Sequence, residues 1–497
     1  MTATSVVRVA QLTALSLAVS TAAVAQQPGM ATPPRTQAVV MKGKAPVSDQ
    51  VLNVRLPRPR EGNLPNGIHL IVLEDHRTPQ VSFSLSIPGA GGYFDPPGQA
   101  GLASTTGAML REGTTSRTTL QISEQLETTA STLAVGSAMS SLDATMNGSA
   151  LTEHKDKLFD MAADILLNPT FPDEEFAKLK QRQVAQLSQQ RSIPQFLVQE
   201  LWARLIYGDH PAGRISMQPA TLNGFTRQQL LDFYKSHYAP DHAVIAIAGD
   251  ISYADAQKLI ESKFGGWKKN GSPAPVAADP SGAGTARVSL VDRPNSVQTS
   301  FVVGAQAIAR TDPDYDALQL MNAVVGGGPT GRLFTHLREE KGYTYGAYSN
   351  LSAGRFKGTW SAQTDVRSEV TEPALTDLMA ELQQIRDVTV SAKELTDKKH
   401  SLVASFALSL ESPQQVLNYY VTSYTYKLPA DYWDRYPERL MAVTPVQVQA
   451  MAKKYLDPSK VQIIAVGDGK KVTDILKKFG PLNVYDVEGK KQTNVVP

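Results

Sequence analysis

Two side chains in the run LFTHLREEKGYTYGAYS (residues 333–349), Arg338 and Tyr345, could bind a carbonyl or carboxylate group. A guanidinium presents a planar fork of hydrogen-bond donors, and a phenol adds one donor at a fixed reach. The spacing alone favours a plainer interpretation, in which Arg338 pairs with a nearby glutamate on a helix surface and Tyr345 packs half-buried in a sheet. The run predicts a helix that stops at Gly342 and continues as a strand with Tyr343 and Tyr345 on one face.

The histidines do not suggest a metal site. None of the eight lies three or four residues from another histidine, the spacing that places two imidazoles on one helix face. His336 and Glu339 lie three apart, but the sequence suggests no third ligand. All eight are therefore expected to be ordinary surface or core residues: His69, His76, His154, His210, His237, His242, His336 and His400.

The segment GQAGLASTTGAMLREGTTSR (residues 98–117) predicts a short helix between two turns, and one face of this helix lacks reactive groups. Ser104, Gly107 and Ala108 occupy positions i, i+3 and i+4 of that face. A serine hydroxyl is a weak metal ligand, and glycine and alanine neither ligate a metal nor accept a proton. Glycine inside a helix also costs about 1 kcal/mol relative to alanine, which indicates a position without a catalytic constraint.

A glycine-rich run, GGGPTG, joins two predicted helical regions through Gly326, Gly327, Gly328 and Gly331. As a phosphate-binding loop it is a weak match. No Gly-Lys-Ser/Thr follows, and no G-x-G-x-x-G register fits after a strand. A close-packed turn is one interpretation that remains open.

Composition excludes several classes of function. The chain has 497 residues, enough for roughly two to four domains. Its formal net charge of +2, with no basic face or run, argues against nucleic-acid or membrane-surface binding. The absence of cysteine excludes disulfides, thiolate metal sites and cysteine nucleophiles.

The first 25 residues predict a secretory signal peptide. An apolar stretch of small residues ends in Ala23-Val24-Ala25, an A-x-A cleavage signal. An uncleaved amphipathic helix is the alternative. Residues 26–50 predict a flexible leader, and no later run of 18 or more apolar residues suggests a membrane span. These features predict a soluble protein in a bacterial periplasm or the extracellular fluid.

The remainder divides into two similar halves. FYKSHYAPDHAVIAIAGD (residues 233–250) and MAKKYLDPSKVQIIAVGD (residues 451–468) share the order helix end, turn, buried strand. A Pro, Gly and Ala rich segment between the halves predicts an extended linker. The expected organisation is an N-terminal domain over residues 51–268, a linker over 269–287, a C-terminal domain over 288–485 and a tail over 486–497.

Within each half, strands and helices form separate blocks. Long helices are predicted over residues 154–168, 173–190, 369–386 and 392–410. Grouped strands beside grouped helices predict an α+β fold. We expect two homologous sandwich domains, each a mostly antiparallel sheet covered by helices on one face.

The duplicated halves, the phrase GGYFDPPGQAGLA…MLREGTTSR and the later GRLFTHLREEKGYTYGAYS resemble the pitrilysin/insulinase-type (M16) metallopeptidases. The resemblance covers about residues 50–485, and the size resembles the short-subunit branch. Active members carry H-x-x-E-H, with two zinc-binding histidines and a glutamate base, where this chain has Ser104, Gly107 and Ala108. A further glutamate ligand is expected near residue 185, yet no carboxylate occurs between Glu175 and Glu200.

Other family features are kept. The resemblance implies that Arg338 and Tyr345, at the family's spacing of seven, bind the substrate peptide opposite the zinc. Such donors can also stabilise the charge on a tetrahedral intermediate. It further implies a substrate-handling role for the glycine-rich loop, the second interpretation of Gly326–Gly331.

These features together predict a non-catalytic, substrate-binding subunit of a periplasmic heterodimeric zinc metallopeptidase. The chain itself would hold no cofactor and be inactive alone. Zinc is expected in a partner M16 subunit with an intact H-x-x-E-H motif, and peptides are the expected substrates. A structural core-type subunit and a peptide-binding homodimer without hydrolytic activity remain alternatives, as does an enzyme that uses different ligands.

Overall fold

The computed structural model describes residues 54–282 and 284–492. The predicted signal peptide (1–25) and flexible leader (26–50) lie outside the described residues. No helix within the described residues has the length and apolar character needed to cross a membrane.

The N-terminal half contains a six-stranded sheet in the order β1-β2-β6-β3-β5-β4. Neighbouring strands are antiparallel except β2 and β6, which are parallel. The strands are β1 (Arg60–Asn63), β2 (His69–Glu74), β3 (Gln80–Pro88), β4 (Thr132–Ser137), β5 (Asp143–Leu151) and β6 (Val244–Gly249).

The C-terminal half repeats this arrangement with the order β12-β7-β11-β8-β10-β9. Five strands correspond in order and direction to β2, β6, β3, β5 and β4, and only the outermost strand differs, since β12 lies parallel to β7. The strands are β7 (Arg287–Asp292), β8 (Gln298–Gln306), β9 (Ala347–Ser352), β10 (Thr359–Arg367), β11 (Gln462–Gly467) and β12 (Leu482–Tyr485). The predicted α+β class with two homologous, mostly antiparallel sheets is confirmed.

Helices cover both sheets. In the N-terminal half they span Leu102–Met109, Thr119–Thr128, Lys155–Leu167, Asp173–Arg191, Pro194–Tyr207, Pro219–Gly224, Arg227–His237 and Tyr253–Phe264. In the C-terminal half they span Tyr315–Val325, Arg332–Phe334, which continues as the π-helix Thr335–Glu340, and then Thr371–Asp387, Ala392–Ser409, Pro413–Tyr426, Tyr436–Ala442, Pro445–Tyr455 and Gly469–Lys477. The four long helices predicted from the sequence are confirmed to within two residues at each end.

The same capping signal starts the helix before the last long strand of each half. Thr226 and Thr444 each accept a hydrogen bond from the backbone N–H three residues later. Gln229 and Gln447 return a side-chain contact to the backbone of the capping threonine. This reciprocal capping box satisfies backbone donors that a helix start leaves free, and its recurrence supports a duplicated domain.

The two halves exchange helices. Pro194–Tyr207 belongs to the N-terminal half but packs on β8 and β11 of the other sheet, where Trp202 contacts an apolar cluster that includes Val302 and Ile464. Pro413–Tyr426 belongs to the C-terminal half and packs on β2 and β6. We call these two segments the exchanged helices.

This exchange buries the central strands on both faces, so the expectation of sheets covered on one face is wrong there. Every residue of β6 and β11 is buried. In β6, Ile245 and Ile247 face the helices of their own half, whereas Ala246 and Ala248 join the cluster that contains the exchanged helix. A strand buried on both faces is continuously apolar, as the sequence AVIAIAG shows.

Candidate functional site

The helix Leu102–Met109, here called the motif helix, is anchored by a buried carboxylate. Gly101 precedes it at φ +100°, a conformation that favours glycine. Asp95 accepts hydrogen bonds from the backbone N–H groups of Gly101 (2.6 Å) and Ala103 (2.7 Å). Burial raises the pKa of the Asp95 carboxyl to about 6, although the two amide donors and the charge of Arg214 oppose the shift.

The face of the motif helix that would carry zinc ligands lies against β4. Ser104 and Ala108 are half-buried, and Gly107 is buried. A Cβ atom at Gly107 would lie 3.0 Å from both the Gly136 Cα and the Ser137 backbone nitrogen. The helix therefore approaches β4 more closely than a glutamate at this position would permit without movement of the strand.

The helix Asp173–Arg191, where the resemblance places a third ligand, presents amide and cationic groups instead. Gln183 accepts a long hydrogen bond, 3.5 Å, from the Thr105 hydroxyl on the motif helix. Arg182 forms an ion pair with Glu112, beyond the end of the motif helix, at 2.5 Å. Ser104 offers only a hydroxyl, Gly107 and Ala108 offer no donor atom, and Gln183 offers an amide. These groups do not make a zinc site. The residues present therefore do not fit the metal that the family resemblance implies.

Neither the motif helix nor the helix Asp173–Arg191 contains a histidine. No group of three or more His, Asp or Glu side chains within the described residues is arranged to hold a metal ion. His336 hydrogen-bonds to Glu381 at 2.8 Å rather than to Glu339. His69 is buried, stacks on Tyr424 with ring centroids 4.0 Å apart and hydrogen-bonds to Asn63.

The glycine-rich loop is packed tightly at three of its four glycines. Added Cβ atoms would lie 2.7 Å from the Ser349 backbone nitrogen at Gly326, 2.9 Å from Ala323 at Gly327 and 2.7 Å from Gly326 at Gly331. Only Gly328 of the four has open space around it. Close packing thus accounts for these three glycines.

A buried lysine fixes the end of this loop. Lys398 donates to the carbonyl and hydroxyl oxygens of Thr330 at 2.6 and 2.8 Å. Burial lowers the pKa of the Lys398 ammonium. The loop is therefore held by hydrogen bonds from the helix Ala392–Ser409.

Arg338 lies on the π-helix with its side chain 47% exposed. Its guanidinium carbon is 4.9 Å from the centre of the Phe334 ring, and one of its nitrogens lies 3.5 Å from Glu339. Neither contact is a strong one, since exposed ion pairs contribute about 0–1 kcal/mol. The guanidinium is thus available for a ligand.

Tyr345 is 94% exposed, which contradicts half-buried packing in a sheet. The strand expected to begin after Gly342 begins at Ala347, while Tyr343 is half-buried and packs against the C-terminal core, so the two tyrosines do not share a strand face. Gly342, at φ +64°, ends the helix as predicted.

Tyr345 lines a cavity of about 700 Å³ between the first turns of the exchanged helix Pro194–Tyr207 and the C-terminal sheet. Amide and hydroxyl groups dominate the lining, and Asp365 is its charged member. The lining residues that carry polar side chains are Gln195, Gln199, Gln298, Ser300, Thr344, Tyr345, Tyr348, Gln363, Thr364 and Asp365.

Two aromatic residues connect Arg338 to this cavity, and sequence reasoning missed both. Phe334 lies under the Arg338 guanidinium and packs against Tyr348 with ring centroids 5.5 Å apart. Tyr348 and Tyr345 line the same cavity. Phe334 and Tyr348 thus form a chain of aromatic contacts from Arg338, which does not itself line the cavity, to the cavity wall that includes Tyr345. We call Phe334, Arg338, Tyr345 and Tyr348 together the aromatic surface.

Comparisons with known families agree with the fold. Residues 70–220 match the insulinase family (peptidase family M16), and residues 224–402 match the domain described as the peptidase M16 inactive domain. The two matches together span more than half of the chain. The protein belongs to the M16 family.

Related proteins are named as zinc proteases. An uncharacterized zinc protease of Streptomyces coelicolor is 25% identical over 80% of this chain and 87% of its own length. An uncharacterized zinc protease of Bacillus subtilis is 26% identical over 70% of this chain and 83% of its own length.

Solved structures resemble most of the chain. The crystal structure of a peptidase M16 inactive domain from Pseudomonas fluorescens has 26% sequence identity, a TM-score of 0.75 and coverage of 82% of this chain and 98% of its own. A protease from Helicobacter pylori has 15% identity and a TM-score of 0.77, with coverage of 83% and 100%.

Proposed function

We propose that this chain is the non-catalytic, substrate-binding subunit of a periplasmic heterodimeric zinc metallopeptidase. Its partner is an M16 subunit with an intact H-x-x-E-H motif, which supplies zinc and the general base. This chain supplies Arg338 and Tyr345 to the shared site.

One contrast carries the proposal. The motif helix offers no strong metal ligand and is packed against β4 at Gly107, whereas the side chains of Arg338 and Tyr345 remain exposed. A face maintained only for packing would be expected to bury its tyrosine ring, because an exposed phenol gains little from the hydrophobic effect.

The cavity beside Tyr345 suits an extended peptide. Glutamine side chains both donate and accept hydrogen bonds, as a peptide backbone does. Gln199 and Gln363 already bond to each other at 2.9 Å and leave further donors and acceptors for a ligand. Strand β9, the outermost strand of its sheet, begins two residues after Tyr345. Its Ser349 N–H already donates to the Gly326 carbonyl at 2.7 Å, so an extended chain would pair with the part of this edge nearest Tyr345.

Reconstitution tests the proposal. The purified chain and an H-x-x-E-H subunit from the same organism are assayed separately and together on a fluorogenic peptide library, with zinc quantified in each sample. We expect the chain alone to be inactive and the mixture to exceed the partner alone. Zinc-dependent hydrolysis by this chain alone would contradict the proposal, and peptide binding without any gain on mixing would favour the homodimer.

Arg338→Ala tests the role of the exposed guanidinium. We expect kcat/KM of the reconstituted complex to fall about tenfold or more, because a charged hydrogen bond to substrate is lost, while zinc content is unchanged. Arg287→Ala, at an exposed arginine of β7 that does not line the cavity, is the matched control and should leave kcat/KM unchanged. An unchanged kcat/KM in both variants would remove Arg338 from the substrate site.

A further inference from the structure

A second cavity, of about 340 Å³, lies among the helices of the C-terminal half and shares no residue with the cavity beside Tyr345. Arg310 is its charged lining residue. The remaining lining residues are mostly aromatic or apolar: Tyr315, Gln319, Leu402, Ser405, Phe406, Tyr419, Trp433 and Tyr436.

Arg310 is a buried cation without an anionic partner in the described part of the chain. Its residue surface is only 7% exposed, and no carboxylate oxygen of the described residues lies within 4.0 Å of its nitrogens. One nitrogen donates to the Tyr432 hydroxyl at 2.9 Å. Buried charges are normally paired because their loss of hydration is costly.

Aromatic rings supply part of the missing compensation. The guanidinium carbon lies 3.8 Å from the centre of the Tyr315 ring, 5.2 Å from that of Tyr432 and 5.7 Å from that of Trp433. Such contacts favour a cation over a ring face. They do not use the in-plane N–H donors, which remain the natural partners of a carboxylate.

We infer that this cavity binds a carboxylate attached to an aromatic or branched apolar group. The Arg310 fork receives the carboxylate, and the apolar group lies against the wall that Phe406, Tyr419 and Trp433 form by packing on one another. A peptide C-terminus and a small free carboxylic acid share this chemistry. The inference does not depend on the proposed metallopeptidase function.

The test uses the intact chain with N-acetylphenylalanine and its amide as probes. Binding is followed by calorimetry and by tryptophan fluorescence, because Trp433 is half-buried and lines the cavity while Trp202, Trp267 and Trp360 are buried elsewhere. We expect saturable binding of the acid, with the amide at least about tenfold weaker, since the amide lacks the charge that the fork recognises. Equal binding of acid and amide, or no saturation up to about 10 mM acid, would overturn the inference.

Two variants locate the site. Arg310→Gln should abolish the preference for acid over amide. Ser405→Phe, at an exposed rim position, should block the cavity without altering the core, and Ser401→Phe, exposed one turn earlier on the same helix and outside the cavity, should bind like the wild type. Binding that survives Ser405→Phe would place the ligand elsewhere.

The peptide Ala-Ala-Ala-Phe, with a free or an amidated C-terminus, separates the two sources of ligand. Binding at least about tenfold tighter than that of N-acetylphenylalanine identifies a peptide C-terminus. Weaker binding of the peptide identifies a small acid.

Discussion

Gly107 is subject to two opposing effects. Alanine has a higher helix propensity than glycine by about 1 kcal/mol, but its Cβ would meet the backbone of Gly136 and Ser137 at 3.0 Å. Backbone atoms in a paired strand cannot rotate away as a side chain can. We therefore predict that Gly107→Ala lowers the thermal unfolding temperature despite its better propensity, and that Gly107→Glu lowers it further.

Gly224 provides the matched control. It also lies in a helix, but nothing is within 4 Å of its added Cβ. Gly224→Ala should leave the unfolding temperature unchanged or raise it. If Gly107→Ala stabilises the protein as much as Gly224→Ala does, the close packing of the motif helix on β4 is refuted.

The prediction that the motif helix binds no zinc rests on residue types alone, because glycine and alanine have no donor atom in any fold and a serine hydroxyl is a poor zinc ligand. The aromatic surface around Arg338 could not be found this way. Phe334 and Tyr348 are fourteen residues apart, and their contact depends on where the π-helix ends and β9 begins. The prediction of a strand that includes Tyr343 and Tyr345 was wrong. Alternating tyrosines are typical of a strand, but the backbone turns after Gly342 and becomes a strand only at Ala347.

At the scale of the element, Asp95 binds the backbone N–H groups at the start of the motif helix, so its protonation affects the stability of the fold. A free aspartate titrates at about 4, and the folded-state pKa of Asp95 is about 6. The folded protein thus binds this proton more tightly, so the contribution of Asp95 to the free energy of unfolding is largest below pH 4 and decreases as the pH rises through about 6.

Asp95→Asn removes this titration. We predict that the stability of the wild type relative to the variant falls between pH 4 and 7, by up to about 3 kcal/mol, measured by urea unfolding at each pH. Asp474→Asn, at a side chain that is 93% exposed, should show no comparable change. A stability difference for Asp95→Asn that stays constant over this range would show that the folded-state pKa is ordinary.

The sequence predicted which segments form helices and strands more readily than it predicted which of these elements pack together. The long helices and buried strands were predicted because amphipathic and continuous apolar patterns are local. The sequence analysis did not predict that helices cover β6 and β11 on a second face. The pattern of a helix indicates that the helix has an apolar side, but it does not indicate which sheet that side contacts.

At the scale of the whole molecule, the exchanged helices couple the two halves. Trp202 is buried against the C-terminal sheet, whereas Trp267, equally buried, packs within the N-terminal core. Removing either ring should cost about 3–5 kcal/mol. We predict that Trp202→Ala accelerates hydrogen exchange in β11, and that Trp267→Ala accelerates it mainly in residues 54–268.

Peptide-resolved native-state exchange measures this difference. Equal protection of β11 in the two variants would contradict the coupling, since Trp202 would then contribute only to its own half.

The exchanged helices also impose an order on the maturation of the chain. Trp202 lies some 260 residues before Ile464 of β11, which belongs to the same apolar cluster. In the same way, one face of β2 and β6 in the N-terminal sheet is covered only when Pro413–Tyr426 docks on it. Contacts this distant in sequence form slowly and leave apolar surface exposed to aggregation. Neither half can complete its core before the exchanged helix of the other half has docked, so the two halves depend on each other to fold.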